Sequence, residues 1–269
     1  MILEVSMEQK DLAIAVFDSG LGGISVLKEL RALLPNENFI YYGDCANAPY
    51  GTRSAHEVRA LTFDVYKKLK REGIKAFVIA CNTATSVCVA QLRAEYPDDI
   101  IIGIEPALKP AVLCADNPTV AVFATPLTLK EEKFASLLAR FSDKARVIPF
   151  ACPGLVEFVE RGEVESEEFH SFLRELFAPL GAHKLDAVVL GCTHYPLVKD
   201  AIVDALGGGV LVFDGGKGTA KETCRRLALA GLLRESDGGK VTFLDSLYPD
   251  VRDPEESRLK RFGGEYLCR

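Results

Sequence analysis

The sequence predicts an α/β protein made of two similar halves of parallel sheet, and three observations carry that prediction. Short apolar runs without interior charge alternate with amphipathic stretches along the chain, as in parallel strands covered by helices on both faces. One cysteine-ended run occurs twice, as Lys75-Ala-Phe-Val-Ile-Ala-Cys81-Asn82-Thr83-Ala-Thr85 and as Asp186-Ala-Val-Val-Leu-Gly-Cys192-Thr193-His194-Tyr-Pro196. The two cysteines stand 111 residues apart, and other runs recur at nearly that offset. Ala13–Ser19 matches Thr119–Thr125 at 106 residues, and Phe39–Asp44 matches Val147–Cys152 at 108. Several elements recurring at one period mean a duplicated half. If the halves face one another about a pseudo-twofold axis, both cysteines reach one cleft from opposite sides. Proton transfer at a stereocentre needs that geometry.

In chain order, strands are expected at 12–17, 39–43, 75–80 and 100–104, then at 119–123, 146–150, 186–191 and 210–213. Each is a short apolar run bounded by turn-forming residues. Helical periodicity falls at 54–72, 83–96, 128–141, 165–181 and 196–206. After the first strand, Asp18-Ser19-Gly20-Leu21-Gly22-Gly23 opens a further helix. It is not G-x-G-x-x-G and no P-loop lysine follows, so it argues poorly for a nucleotide. A tight turn whose backbone N–H groups receive a small anion, such as a carboxylate, fits better. The joins near 105–118 and 207–219 read as crossovers between halves, and 219–269 as a peripheral cap on the first half with a loosely held, charged tail. The expected domains are therefore 1–106 plus 218–269, and 107–217. The first ten residues read as a frayed extension, with Met7 as an alternative start.

The bulk numbers narrow the function. A chain of 269 residues with 48% hydrophobic and 26% charged residues is ordinary for a soluble globular protein. A net charge of −6 with scattered Lys and Arg argues against a nucleic-acid partner. No apolar run approaches the roughly 18 residues that span a bilayer, and the start lacks the pattern of a secretory signal. Neither a C-x-x-C pair nor a Cys/His zinc spacing occurs, so no metal site is expected among the eight cysteines. They read as free thiols of a cytoplasmic protein. Cys88, Cys114, Cys224 and Cys268 are taken as small apolar residues, and His56, His170 and His183 as ordinary core or surface histidines.

The remaining polar residues gather at expected strand ends, where parallel sheets bind ligands. Removing the α-proton of an amino acid is hard. The pyridoxal route needs a lysine and a phosphate cradle, and no strand-end lysine here has one. A route without cofactor needs a base on one face and an acid on the other. A thiolate/thiol pair suits it, since cysteine is unhindered and titrates near neutral pH. Cys81 and Cys192 lie at strand-to-helix switches, where a helix N-terminus stabilises a thiolate. Thr83, Thr193 and Asn82 can hydrogen-bond a bound carboxylate. His194 can polarise the Cys192 thiol, and Asp18 can do the same beside Cys81. Asp44 is a weaker candidate, because Gly-Asp after a strand also caps turns.

The residues resemble the glutamate racemases of the aspartate/glutamate racemase superfamily. The matching stretches are Phe17–Gly23, Gly43–Gly51, Ala80–Thr85, Gly103–Pro106 and Leu190–Leu197, in order over nearly the whole chain. The resemblance implies two flavodoxin-like α/β domains with the active site between them, no cofactor, and glutamate as the small-molecule substrate. It implies a role in supplying D-glutamate for peptidoglycan and leaves open a homodimer. It makes Cys81 and Cys192 the catalytic acid/base pair, with Cys81 serving D-glutamate and Cys192 L-glutamate. Asp18 and Ser19, Tyr50 and Gly51, Asn82 and Thr83, and Thr193 and His194 become the substrate-binding pairs. Asp18 and His194 would assist the thiols, with Asp44 and Glu160 as further polar helpers. The chain departs from the family pattern at 124–134 and 150–160. Two other readings stand beside this one: racemisation of aspartate or another acidic amino acid, and a small-ligand-binding or redox module using Cys81 and Cys192 as a switchable disulfide.

Overall fold

The computed structural model describes residues 7–268. Its strands are β1 (Ala13–Asp18), β2 (Phe39–Gly43), β3 (Ile74–Ile79), β4 (Ile101–Gly103), β5 (Thr119–Ala124), β6 (Arg146–Ala151), β7 (Ala187–Leu190), β8 (Leu211–Asp214) and β9 (Val241–Asp245). Its α-helices are α1 (Met7–Asp11), α2 (Ile24–Leu33), α3 (Ala55–Arg71), α4 (Asn82–Glu95), α5 (Leu108–Val112) and α6 (Pro126–Lys130). They continue as α7 (Glu132–Ala139), α8 (Leu155–Arg161), α9 (Glu167–Phe177), α10 (Lys199–Ala205), α11 (Gly216–Leu229) and α12 (Arg258–Cys268). All pairings are parallel, in one sheet of order β4-β3-β1-β2-β9 and a second of order β6-β5-β7-β8.

The repeat read from the cysteines is a repeat of topology. Counting strands from the start of each half, both sheets carry the order 2-1-3-4, and the first adds β9 outside its second strand. In β1 and β5 every residue after the first is buried. These central strands are apolar on both faces because helices cover both. The outer strands β6 and β8 are only partly covered. Pro149 sits in β6 at the sheet edge, where its missing N–H costs no ladder bond. Register then lines up the strand ends: Asp18 is opposite Gly43 and Phe17 is opposite Ile79, which places Asp18, Asp44 and Cys81 in one row. In the second sheet Phe123 is opposite Leu190, which brings Thr125 and Cys192 to the matching edge.

Several expectations change. The helix expected at 128–141 is two, because Glu131 leaves the helical region with ψ 139°. The one expected at 196–206 begins as a 3-10 turn at Tyr195–Val198. The tail is more than a loosely held cap: β9 completes the first sheet, α11 packs on α2, and Leu259 of α12 is buried at 1% exposure. The frayed extension is corrected from Met7 on, where α1 forms and the Lys10 carbonyl accepts from Lys75 Nζ at 2.5 Å; residues 1–6 lie outside the described part. The two sheets are joined through the segments that follow β4 and β8, at the β4 and β8 edges. A cleft of ≈ 830 Å³ opens there, lined by Glu105, Pro106, Asp214 and Gly215 and by none of the candidate site residues. No described helix is long and apolar enough to cross a membrane.

Candidate active site

Cys81 is the N-cap of α4, with extended backbone (φ −68°, ψ 118°), so its side chain turns back over the first turn. Its sulfur accepts the Ala84 N–H at 3.5 Å and lies 3.7 Å from Ser19 Oγ. Asp18, wholly buried at the end of β1, accepts from the Gly20 N–H at 3.0 Å through Oδ1. Asp44 ends the row beyond β2 and is occupied within its own loop. It accepts from Tyr50 Oη at 2.6 Å and from the Asn47 side chain at 3.0 Å. The structure makes Asp44 the anchor of Tyr50, which is a positioning task.

Cys192 follows β7 and has a different support. No α-helix starts at it; instead His194 Nδ1 lies 3.8 Å from its sulfur, and His194 Nε2 is 2.6 Å from Glu160 Oε1. Glu160 comes from α8 and also accepts the Leu21 N–H at 2.9 Å. The carboxylate expected at the glycine turn is therefore supplied by the protein itself. Gly20 and Gly22 are glycines for a steric reason: a Cβ at Gly20 would fall on Glu160 Oε1, and one at Gly22 on His194 Nδ1, with Thr193 Oγ1 at 2.7 Å. The turn is a seat for the strand end of the other half.

The halves also meet through side chains on both sides of this seat. Thr193 Oγ1 donates to Asp18 Oδ2 at 2.9 Å. Thr83 Oγ1 lies 3.0 Å from Thr125 Oγ1 and 3.2 Å from Thr128 Oγ1, and those two are 2.9 Å apart. All three hydroxyls are buried, so they form a closed triangle of donors with few other partners. Gly51 packs against Thr125, where a Cβ would stand 2.7 Å from its Cβ. Asn82 Oδ1 is buried without a hydrogen-bond partner, and a void of ≈ 20 Å³ reaches Asn82 and Thr128. Thr125 was legible only as the repeat equivalent of Ser19, and Thr128 was not singled out, since it lies in the stretch that departs from the family pattern.

Burial dominates the electrostatics. Cys81 and Cys192 are 5% and 7% exposed. Burial, then the nearby Asp18 charge, pushes the Cys81 thiol up to about 12, and Cys192 is close enough to add to the shift. Burial also raises Asp18, against the opposing pull of His194. For His194 burial alone would favour the neutral ring, but its bonds to Cys192 and Glu160 reverse this and hold its pKa well above the usual value. Glu160 answers in kind: burial would raise it, yet the His194 contact brings it below the ordinary carboxylate value. These contacts favour the imidazolium form of His194, in which Nε2–H donates to Glu160 and Nδ1–H faces the Cys192 sulfur.

Every sequence-derived candidate therefore lies at one edge of the two sheets, and the two thiols converge on it from different halves. A base and an acid can stand there on either side of one carbon. A match to the Asp/Glu/hydantoin racemase family covers residues 22–223. A glutamate racemase of Clostridium perfringens is 49% identical over 239 residues, covering 88% of this chain and 92% of the relative. Among solved structures, a glutamate racemase isoform of Bacillus anthracis superposes with TM-score 0.84 at 30% identity, over 97% of this chain and 95% of that one. The Francisella tularensis glutamate racemase, solved with D-glutamate, gives TM-score 0.80 at 28% identity, over 96% and 94% of the two chains.

Proposed function

Given that the chain belongs to the Asp/Glu/hydantoin racemase family and is an isomerase of amino acids, we propose that it interconverts L- and D-glutamate by two-thiol proton transfer. The observation that carries the reading is the placement of Cys81 and Cys192 at equivalent strand ends of the two halves, each with its own polar support. One cysteine, as thiolate, takes the α-proton and becomes a thiol, leaving the electron pair on the α-carbon. The other, as thiol, gives its proton to the opposite face and becomes the thiolate. The pair is then poised for the reverse reaction, with no electron carrier needed. His194 stabilises charge that develops at Cys192, and the α4 N-terminus does so at Cys81.

Binding follows from the unpaired groups. The orphaned Asn82 Oδ1 is an acceptor suited to the substrate ammonium. The hydroxyls of Thr83, Thr125 and Thr128 bond one another and can turn toward a carboxylate. Ser19, Tyr50, Gly51 and Thr193 complete the substrate pairs. Residues 1–106 with 218–269 and residues 107–217 serve as the two domains that close on the substrate. Supply of D-glutamate for peptidoglycan in the cytoplasm is the role this activity would fill. Pure protein with no added cofactor should abolish the circular dichroism of L-glutamate, and faster than that of L-aspartate. A signal that persists at high enzyme concentration removes the proposal, and faster aspartate decay reassigns the substrate.

A further inference from the structure

The two halves are joined covalently at the β4 and β8 edges, so a cleft between them opens most freely at the opposite edges. Those edges carry β2 with β9 in the first sheet and β6, followed by α8, in the second. Helix α12 lies at that mouth and is fastened to the first half. Ser257 Oγ, at its start, donates to Asp245 Oδ2 at 2.6 Å. Leu259 covers Gly43, where a Cβ would stand 3.0 Å from its Cδ2. Gly263 lies against Phe243, which a Cβ would meet at 2.6 Å. From this fixed base Arg258 crosses to the other half: Nη2 donates to the Val159 carbonyl at 3.5 Å, in the last turn of α8. The guanidinium lies over Gly162, the left-handed C-cap of α8 (φ 75°), where a Cβ would fall on Nη2. A cation at a helix C-terminus is favourably placed. Arg258 is solvent-exposed, as a contact that must break and re-form requires.

We propose that Arg258 is a positioning residue, a latch by which the C-terminal helix holds the cleft mouth shut against the α8 helix that carries Glu160. The inference rests on the reading that the cleft opens to admit an amino acid, but its test does not need turnover. Alkylation of ligand-free enzyme by iodoacetamide, followed by peptide mass spectrometry, reports how often each thiol meets solvent. Arg258→Ala should speed labelling of Cys81 and Cys192 together by about two- to tenfold, the range of one hydrogen bond. Arg258→Lys, which keeps the charge and loses the planar reach, should fall between. Cys88, 1% exposed within the first-half core, serves as the control and should label at the wild-type rate. In the glutamate assay KM should rise by a similar factor with kcat changed less, since closing the mouth then falls to the substrate. Unchanged labelling of the two cleft thiols overturns the latch. So does acceleration shared equally by Cys88, which would mean that α12 secures the fold and not the cleft. A protein that racemises nothing yet shows the labelling difference loses the proposed function and keeps the latch.

Discussion

A thiol as deeply buried as Cys81, beside the Asp18 carboxylate, keeps its proton to about pH 12 in the ligand-free protein. Alkylation of Cys81 should therefore rise about tenfold per pH unit from 8 to 10. Levelling near the ordinary cysteine value would show that burial is not in control. Replacing either cysteine by serine puts the base pKa far above working pH, so racemisation should fall by about 10³-fold or more. A substrate that eliminates after loss of the α-proton needs a base on one face only. With such a probe Cys81→Ser should spare the L-specific half-reaction and Cys192→Ser the D-specific one. The opposite preference would exchange the assignments, and near wild-type racemisation by either variant would end the two-thiol mechanism.

At the scale of elements, the two cysteine-ended strands were legible because each is a charge-free apolar run with polar residues just beyond its end. Strand β9 was not: Val241–Asp245 is five residues set between Gly-rich and charged segments, and only pairing with β2 makes it a strand. Helices α8 and α11 escaped for a related reason, since both are entered through glycines that read as loop. The Asp18–Gly23 turn was found but its purpose was not. A glycine needed for an anion and one needed for close packing look alike until the partner is in place. Gly22→Ala tests which need is real. The added methyl would displace His194 and Thr193, and misplacement of about 1 Å can cost about 10²-fold in kcat/KM. Far-UV circular dichroism should be unchanged. Activity within twofold of wild type would show that the turn can relax.

Over the whole molecule, the sequence showed the duplication and missed what ties its ends together. Lys75, at the foot of β3, forms an ion pair with Glu37 in which both side chains are almost fully buried. Lys75 also donates to the Lys10 carbonyl in α1 and to the Leu232 carbonyl after α11 at 3.0 Å, and Glu37 accepts from the Arg234 N–H at 2.9 Å. Two further chain segments, one from each end of the sequence, converge on this one pair. Removing one partner strands a buried charge, which costs about 3–5 kcal/mol. Lys75→Met should lower Tm by about 10 °C and leave kcat at 25 °C nearly unchanged, because the pair lies at the opposite ends of the strands from the thiols. A loss of kcat with no loss of Tm would contradict this division of labour.

The unequal supports of the two thiols, a helix N-terminus for Cys81 and the His194–Glu160 pair for Cys192, carry a constraint of their own. Mirror-image amino acids have the same free energy in water, so the equilibrium constant of a racemisation is one. Both directions cross the same barrier from free states of equal energy, and kcat/KM must therefore match for the two enantiomers. No asymmetry in the protein can alter that equality; it can only divide kcat from KM differently for each hand. A change confined to the Cys192 side, such as His194→Gln, should lower kcat/KM equally for L- and D-glutamate while moving the two kcat values apart. Progress curves begun from each enantiomer measure all four constants.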